Sequence, residues 1–120
     1  MEYTALQDKR AGKDYQIARD AWGASYVDAM TFMDVMMSDG GSNYTNWGDP
    51  NYDALIKKAQ SATDQKIRIP AMHDAEQILM NAAPIIPIYD YTVTLLADKR
   101  LKDYYISPNG HICLQYAYMQ

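Results

Sequence analysis

Residues 19–26 include side chains that could bind an extended peptide. The preceding segment, 14–22, alternates like a β-strand that ends at Gly23. The edge of such a strand can pair with peptide amides, the Arg19 guanidinium can receive a carboxylate, and the Trp22 ring can pack against a peptide side chain. The same residues also suit an ordinary core strand, so both interpretations stay open at this point.

Residues suited to catalysis or metal binding are few. Neither histidine, His73 or His111, has another histidine or a carboxylate at metal-ligand spacing, so we expect two surface imidazoles and no metal or cofactor. The single cysteine, Cys113, has apolar neighbours, which predicts a buried thiol. No nucleophile or phosphate-loop motif occurs, so we expect no enzyme and no catalytic residue. A carboxylate-based hydrolase is the remaining catalytic alternative.

Composition restricts the class of protein further. The chain has 120 residues, of which 48% are hydrophobic and 22% charged, which is typical of one folded domain. Eleven Lys and Arg against 15 Asp and Glu give a net charge of −4, which argues against nucleic acid as a partner. No apolar run is long enough to cross a membrane.

Hydrophobic periodicity predicts an α/β fold, with a mixed β-sheet flanked by helices. Asp49 and Pro50 form a helix start, and Pro70 should either kink the last helix or move its start to about residue 69. The methionines of segment 28–37 predict a helix face that packs in the core. The alternative is that they form an adaptable wall of a binding pocket. We predict helices at 2–12, 28–38, 50–61 and 66–82, and strands at 14–22, 84–97 and 111–118, all in one sheet.

Three blocks of the chain resemble motifs of a known family. They are ARDAWGASYVDAMTFMDVM, NYTNWGDPNYDALIKKA and AEQILMNAAPIIPIYDYTVTLL. In order and spacing they resemble the oligopeptide- and dipeptide-binding proteins of bacterial ABC importers, the family 5 extracellular solute-binding proteins. The resemblance covers about residues 2–118.

This resemblance implies a fold and an extent. Family members have two lobes that close over the ligand, in the type II periplasmic-binding-protein fold. Residues 1–120 would then be a single fragment, the C-terminal portion of one lobe. The first predicted helix begins at residue 2 without an N-cap, which agrees with a chain cut from a longer one.

The resemblance also implies ligand-binding residues. Arg19 matches an arginine that can meet the peptide carboxylate. The matched strand residues whose backbone or ring contacts the peptide, and the matched pocket aromatics, are Ala21, Trp22, Gly23, Tyr3 and Tyr91.

Ser25 departs from the family pattern, which commonly has Asp there to pair with the peptide ammonium. Two other carboxylates lie nearby in the sequence. Asp20 is predicted to face away from Arg19, and Asp28 to cap a helix, so we expect neither to replace the missing charge.

The implied function is peptide uptake by an ABC importer, with a membrane permease as the partner of the full-length protein. The resemblance implies a location at the extracellular face of the membrane or in the periplasm, either lipid-anchored or secreted. Ser25 keeps a non-peptide solute open, such as a nickel complex, haem or a sugar. A peptide-interaction module outside transport is a further alternative. We expect the isolated fragment to self-associate through exposed apolar area and strand edges.

Overall fold

The structure, a computed structural model, describes residues 2–120 and builds them into four helices and four two-residue strands. The helices are α1 (Tyr3–Ala11), α2 (Met30–Met33, continued by a 3₁₀ turn at Asp34–Met36), α3 (Pro50–Ser61) and α4 (Gln65–Ala82). The strands are β1 (Leu101–Lys102), β2 (Tyr105–Ile106), β3 (Ile112–Cys113) and β4 (Tyr118–Met119).

Helices α3 and α4 form a hairpin around the core. Asp49 caps α3 by accepting hydrogen bonds from the backbone N–H groups of Asn51 and Tyr52, as the sequence predicts. Helix α4 begins at Gln65, so the start near residue 69 is wrong and Pro70 lies inside the helix. The buried side chains are Met30, Met36, Met37, Tyr52, Ile56, Ala59, Ala71, Met72, Ala75 and Leu79.

The methionine-rich segment belongs to this core, so its core-face interpretation is confirmed. It is shorter as a helix than the predicted 28–38, because the chain tightens into the 3₁₀ turn and then leaves the helical conformation at Met37. The buried Asn43 amide closes the loop that follows. It donates to the backbone carbonyls of Met37 and Trp47, and its oxygen accepts from Thr45.

The predicted single mixed sheet is wrong. The described strands form two separate antiparallel pairs, β1 with β4 and β2 with β3. The predicted strand 111–118 therefore contains β3 and only the first residue of β4, with a turn between them. The turn at residues 107–110 brings β2 and β3 together directly, and β1 and β4, which flank this hairpin in the sequence, pair with each other.

Segments 14–22 and 84–97, both predicted as strands, contain no strand in the structure. The strand ladder needs a neighbour to exchange backbone hydrogen bonds, and neither segment has one within residues 2–120. Segment 84–97 contains no helical residue either, since α4 ends at Ala82, so its β-type composition does not produce a regular element. Ile88 and Leu96 are 83% and 98% exposed there, whereas a central strand would bury such side chains.

The overall shape is flat and extended. Its radius of gyration is 18.4 Å and its extents are 56 × 45 × 22 Å. A compact domain of this length has a radius of gyration of about 14 Å.

None of the helices within residues 2–120 combines the length and apolar character needed to span a bilayer.

Candidate functional site

Helix α1 and the segment 19–21 enclose an open cavity of about 180 Å³. Three of the sequence-predicted ligand-binding residues meet there: Tyr3 from the first turn of α1, and Arg19 and Ala21 from the facing segment. The other lining residues are Leu6, Arg10 and Asp20. The cavity therefore combines one aromatic ring, apolar surface and charged groups within reach of one another.

Arg10 contributes to the cavity although the sequence analysis did not predict it. It forms an ion pair with Asp20, and its guanidinium lies 5.1 Å from the centre of the Tyr44 ring. The signal that could have found it is the spacing of Tyr3, Leu6 and Arg10, which places all three on one face of α1.

The prediction that Asp20 faces away from Arg19 is wrong, because both residues line the same cavity. Alternation holds only along a regular strand, and residues 19–21 form none. Asp20 also accepts a hydrogen bond from the backbone N–H of Ala21. Two guanidinium groups against one carboxylate leave the cavity with a net positive charge, which favours an anionic group on a ligand.

Tyr91 joins this region through Arg19. The Arg19 guanidinium donates a hydrogen bond to the Tyr91 hydroxyl at 2.7 Å, and the Tyr89 and Tyr91 rings are 4.9 Å apart. The hydrogen bond from Tyr89 and the positive charge of Arg19 lower the pKa of the Tyr91 phenol. Arg19 and Tyr91 are both exposed, so a ligand can reach the pair from solvent.

The remaining predicted residues lie in the loop that follows, outside the lining of the cavity. The Trp22 ring is 44% exposed, and its indole N–H donates to the backbone carbonyl of Thr31 at 3.0 Å. A side chain added at Gly23 would meet open space, so the backbone is accessible there. Ser25 is exposed, and its backbone N–H donates to the Thr31 hydroxyl at 3.1 Å.

The residues considered for catalysis are not assembled into a reactive site. His73 and His111 are exposed, as predicted, whereas Cys113 is half-buried and not fully buried. Its strand is two residues long and belongs to an open two-stranded pair, which cannot cover both faces. Within residues 2–120, no group of three or more His, Cys, Asp or Glu side chains is arranged to hold a metal ion.

Comparison with known proteins relates the chain to binding proteins. It is 36% identical over 93% of its length to the dipeptide-binding protein DppE of Bacillus subtilis. It is 37% identical over 74% of its length to YgiS of Escherichia coli, described as a probable deoxycholate-binding periplasmic protein. No protein-family model matches the chain.

A solved structure has the same arrangement of elements. Crystalline OppA of Haemophilus influenzae, in complex with RPPGFSPFR, superposes on 99% of the chain with a TM-score of 0.86 and 32% identity. The α/β architecture is therefore that of part of a periplasmic-binding-protein fold. The chain belongs to the family 5 extracellular solute-binding proteins. It spans 20% of the length of DppE, 17% of YgiS and 23% of the OppA chain.

Proposed function

We propose that this chain is a section of an extracellular receptor that binds oligopeptides for uptake by an ABC importer. It would form the C-terminal portion of one lobe, and it would contribute part of the peptide site. The observation that carries the proposal is the cavity shared by Tyr3, Arg19 and Ala21, with Arg19 held by Tyr91. DppE is named as a dipeptide-binding protein, and the OppA structure contains RPPGFSPFR, which agrees with a peptide ligand.

The chemistry of the site suits a peptide with a free carboxylate. Arg19 supplies an exposed cation beside an apolar wall, and a charge-assisted hydrogen bond to a carboxylate is stronger than a neutral one. The Trp22 ring and the open backbone at Gly23 can receive a side chain and a peptide amide, respectively. The role is binding without catalysis, and in this proposal Ala21 and Ser25 contribute backbone contacts.

This function is tested by titrating the chain with trialanine and monitoring the backbone amide chemical shifts by NMR. Because only part of a two-lobed site is present, we expect saturation no tighter than roughly 1 mM, with the shifts concentrated in residues 19–25. Trialanine amide, which lacks the carboxylate, should bind about fivefold more weakly. Arg19→Gln should abolish that difference, whereas Arg100→Gln, at an exposed arginine paired with Asp98 elsewhere, should preserve it.

Two results would contradict the proposal. One is the absence of any response in residues 19–25 at tens of millimolar peptide, well above the expected dissociation constant of roughly 1 mM. The other is micromolar binding. It would mean that the complete site lies within this chain, so the proposal that the chain contributes only part of the site would be wrong.

A non-peptide solute is the second candidate, and the relationship to YgiS favours it. A bile acid such as deoxycholate carries a carboxylate on a rigid apolar body, which also suits a cation beside Tyr3 and Leu6. The neutral Ser25 requires no ammonium on the ligand. The same chemical-shift titration can be carried out with deoxycholate below its micelle-forming concentration. Tighter binding of deoxycholate than of trialanine would support this candidate.

The proposal also covers location and partners. The full-length receptor would act outside the cytoplasmic membrane, lipid-anchored or secreted, and would deliver its ligand to a membrane permease.

The chain alone should self-associate, because Ile86, Ile88 and Leu96 are 73%, 83% and 98% exposed. We expect dimers or larger species by light scattering near millimolar protein, and a triple substitution of these residues to Thr should reduce them. A monomer at that concentration would contradict self-association.

A further inference from the structure

Thr31 accepts hydrogen bonds from two residues of the loop formed by residues 22–26, here called the site loop. Its backbone carbonyl accepts the Trp22 indole N–H, and its hydroxyl oxygen accepts the Ser25 backbone N–H. Thr31 itself is only 3% exposed, so water competes little for these acceptors. One buried residue of α2 therefore holds both the aromatic ring and the backbone of the site loop.

Helix α2 is in turn connected to α4 by an ion pair. The Arg68 guanidinium donates to the Asp28 carboxylate at 2.7 Å, and the same carboxylate oxygen accepts the backbone N–H of Met30 at 2.8 Å. The side chains of Arg68 and Asp28 are 17% and 31% exposed. A pair this sheltered holds its geometry better than a fully solvated one.

We propose that Thr31 and Arg68 are positioning residues for the site loop, Thr31 directly and Arg68 through Asp28. The loop then takes its shape from the α3–α4 hairpin and not from strand pairing, since residues 14–22 form no strand. The importance of this shape for ligand binding rests on the proposed function. The positioning itself is a property of the unliganded chain.

Three variants and a control test the positioning by amide hydrogen exchange of the whole 120-residue chain. Thr31→Val keeps the side-chain shape and removes the acceptor for Ser25, so exchange of the Ser25 amide should rise about fivefold. Thr31→Ser keeps the hydroxyl and should restore wild-type exchange. Arg68→Gln should accelerate exchange at both Ser25 and the Trp22 indole, whereas Arg100→Gln should change neither.

Core amides distinguish positioning from general destabilisation. Exchange at Ile56, which is fully buried in α3, should stay at its wild-type rate in all four variants. If exchange at Ile56 and Ser25 rises in parallel, or if Ser25 is unaffected in both Thr31→Val and Arg68→Gln, the positioning role is wrong.

A ligand measurement separates this inference from the proposed function. Thr31→Val should weaken trialanine binding about threefold, and Thr31→Ser should not. If the exchange pattern is as expected and wild type does not respond to trialanine, the positioning stands and the peptide function fails. If wild type binds trialanine but the exchange pattern is absent, the function stands and the positioning fails.

Discussion

Arg19 and Tyr91 are 72 residues apart in sequence, and a 2.7 Å hydrogen bond from the Arg19 guanidinium to the Tyr91 hydroxyl joins them. This bond connects the segment before the site loop to the irregular segment 84–97. It is the contact that brings together two residues that the resemblance implied separately as ligand-binding groups. Its electrostatic consequence is directly measurable, because the nearby cation stabilises the ionised phenol.

Removal of Arg19 should therefore change the titration of Tyr91. The hydrogen bond from Tyr89 and the Arg19 charge hold the pKa of Tyr91 below its ordinary value. In Arg19→Gln the charge is lost, so we expect the pKa of Tyr91 to rise and its phenolate to form at higher pH than in wild type. Carbon-13 chemical shifts of labelled tyrosine follow this titration. An unchanged pKa of Tyr91 in Arg19→Gln would contradict the contact between the guanidinium and the phenol.

Substitution of Ser25 tests the missing carboxylate. Wild type should discriminate no more than about threefold between trialanine and acetylated trialanine, because residue 25 supplies a neutral hydroxyl where the family pattern has a carboxylate. Ser25→Asp should favour the free amine by about fivefold, a modest gain since Ser25 is exposed and water screens the new charge. Ser25→Asn, similar in shape but neutral, is the control. A preference of about a hundredfold in wild type would mean that another residue anchors the ammonium.

The buried hydroxyl of Tyr52 should contribute measurably to stability. Tyr52 is fully buried, its hydroxyl donates to the Met33 carbonyl at 2.6 Å, and its ring meets Trp47 edge-on. Tyr52→Phe leaves that carbonyl without its partner, so the free energy of unfolding should fall by about 1–2 kcal/mol in urea titrations. The exposed Tyr116→Phe should change it by less than about 0.5 kcal/mol. Equal effects of the two substitutions would contradict this role of the hydroxyl.

The end of α4 offers a stabilising substitution. Ala83 has a left-handed backbone conformation, with φ 49° and ψ 44°, and its N–H bonds to the Leu79 carbonyl. Glycine adopts this conformation without the strain of a Cβ, so Ala83→Gly should raise the free energy of unfolding by about 0.5–1 kcal/mol. Ala82→Gly, one residue earlier and still helical, should lower it by about 1 kcal/mol. Destabilisation by both substitutions would show that the cap is not strained.

Local sequence signals predicted the helices well. The Asp49–Pro50 start and the spacing of Tyr52, Ile56 and Ala59 determine α3 and its buried face, because capping and helical periodicity act within a few residues. The same logic was less accurate on α4. Ile67 lies at helical spacing from the buried Ala71 and Ala75 yet is itself 49% exposed, while Met72 is buried in the core.

The sequence indicated which segments have strand-forming residues, but it did not indicate which segments pair. Segment 84–97 has the β-branched and aromatic residues of a strand, but a ladder also needs a partner, and residues 2–120 supply none to it. The turn at residues 107–110 instead pairs β2 with β3, so only Ile112–Cys113 of the predicted strand 111–118 belongs to this hairpin.

The sequence by itself determined the family, the helices and most of the candidate ligand-binding residues. Motifs and helical periodicity depend only on residues that are close together in the chain. Tertiary structure alone decided which of those residues meet. It placed Arg10 and Asp20 in the cavity beside Arg19, joined Tyr91 to Arg19, and made Thr31 the anchor of Trp22 and Ser25. These relations depend on how distant segments approach in space, and no local pattern encodes an ion pair or hydrogen bond between residues that only the fold brings together.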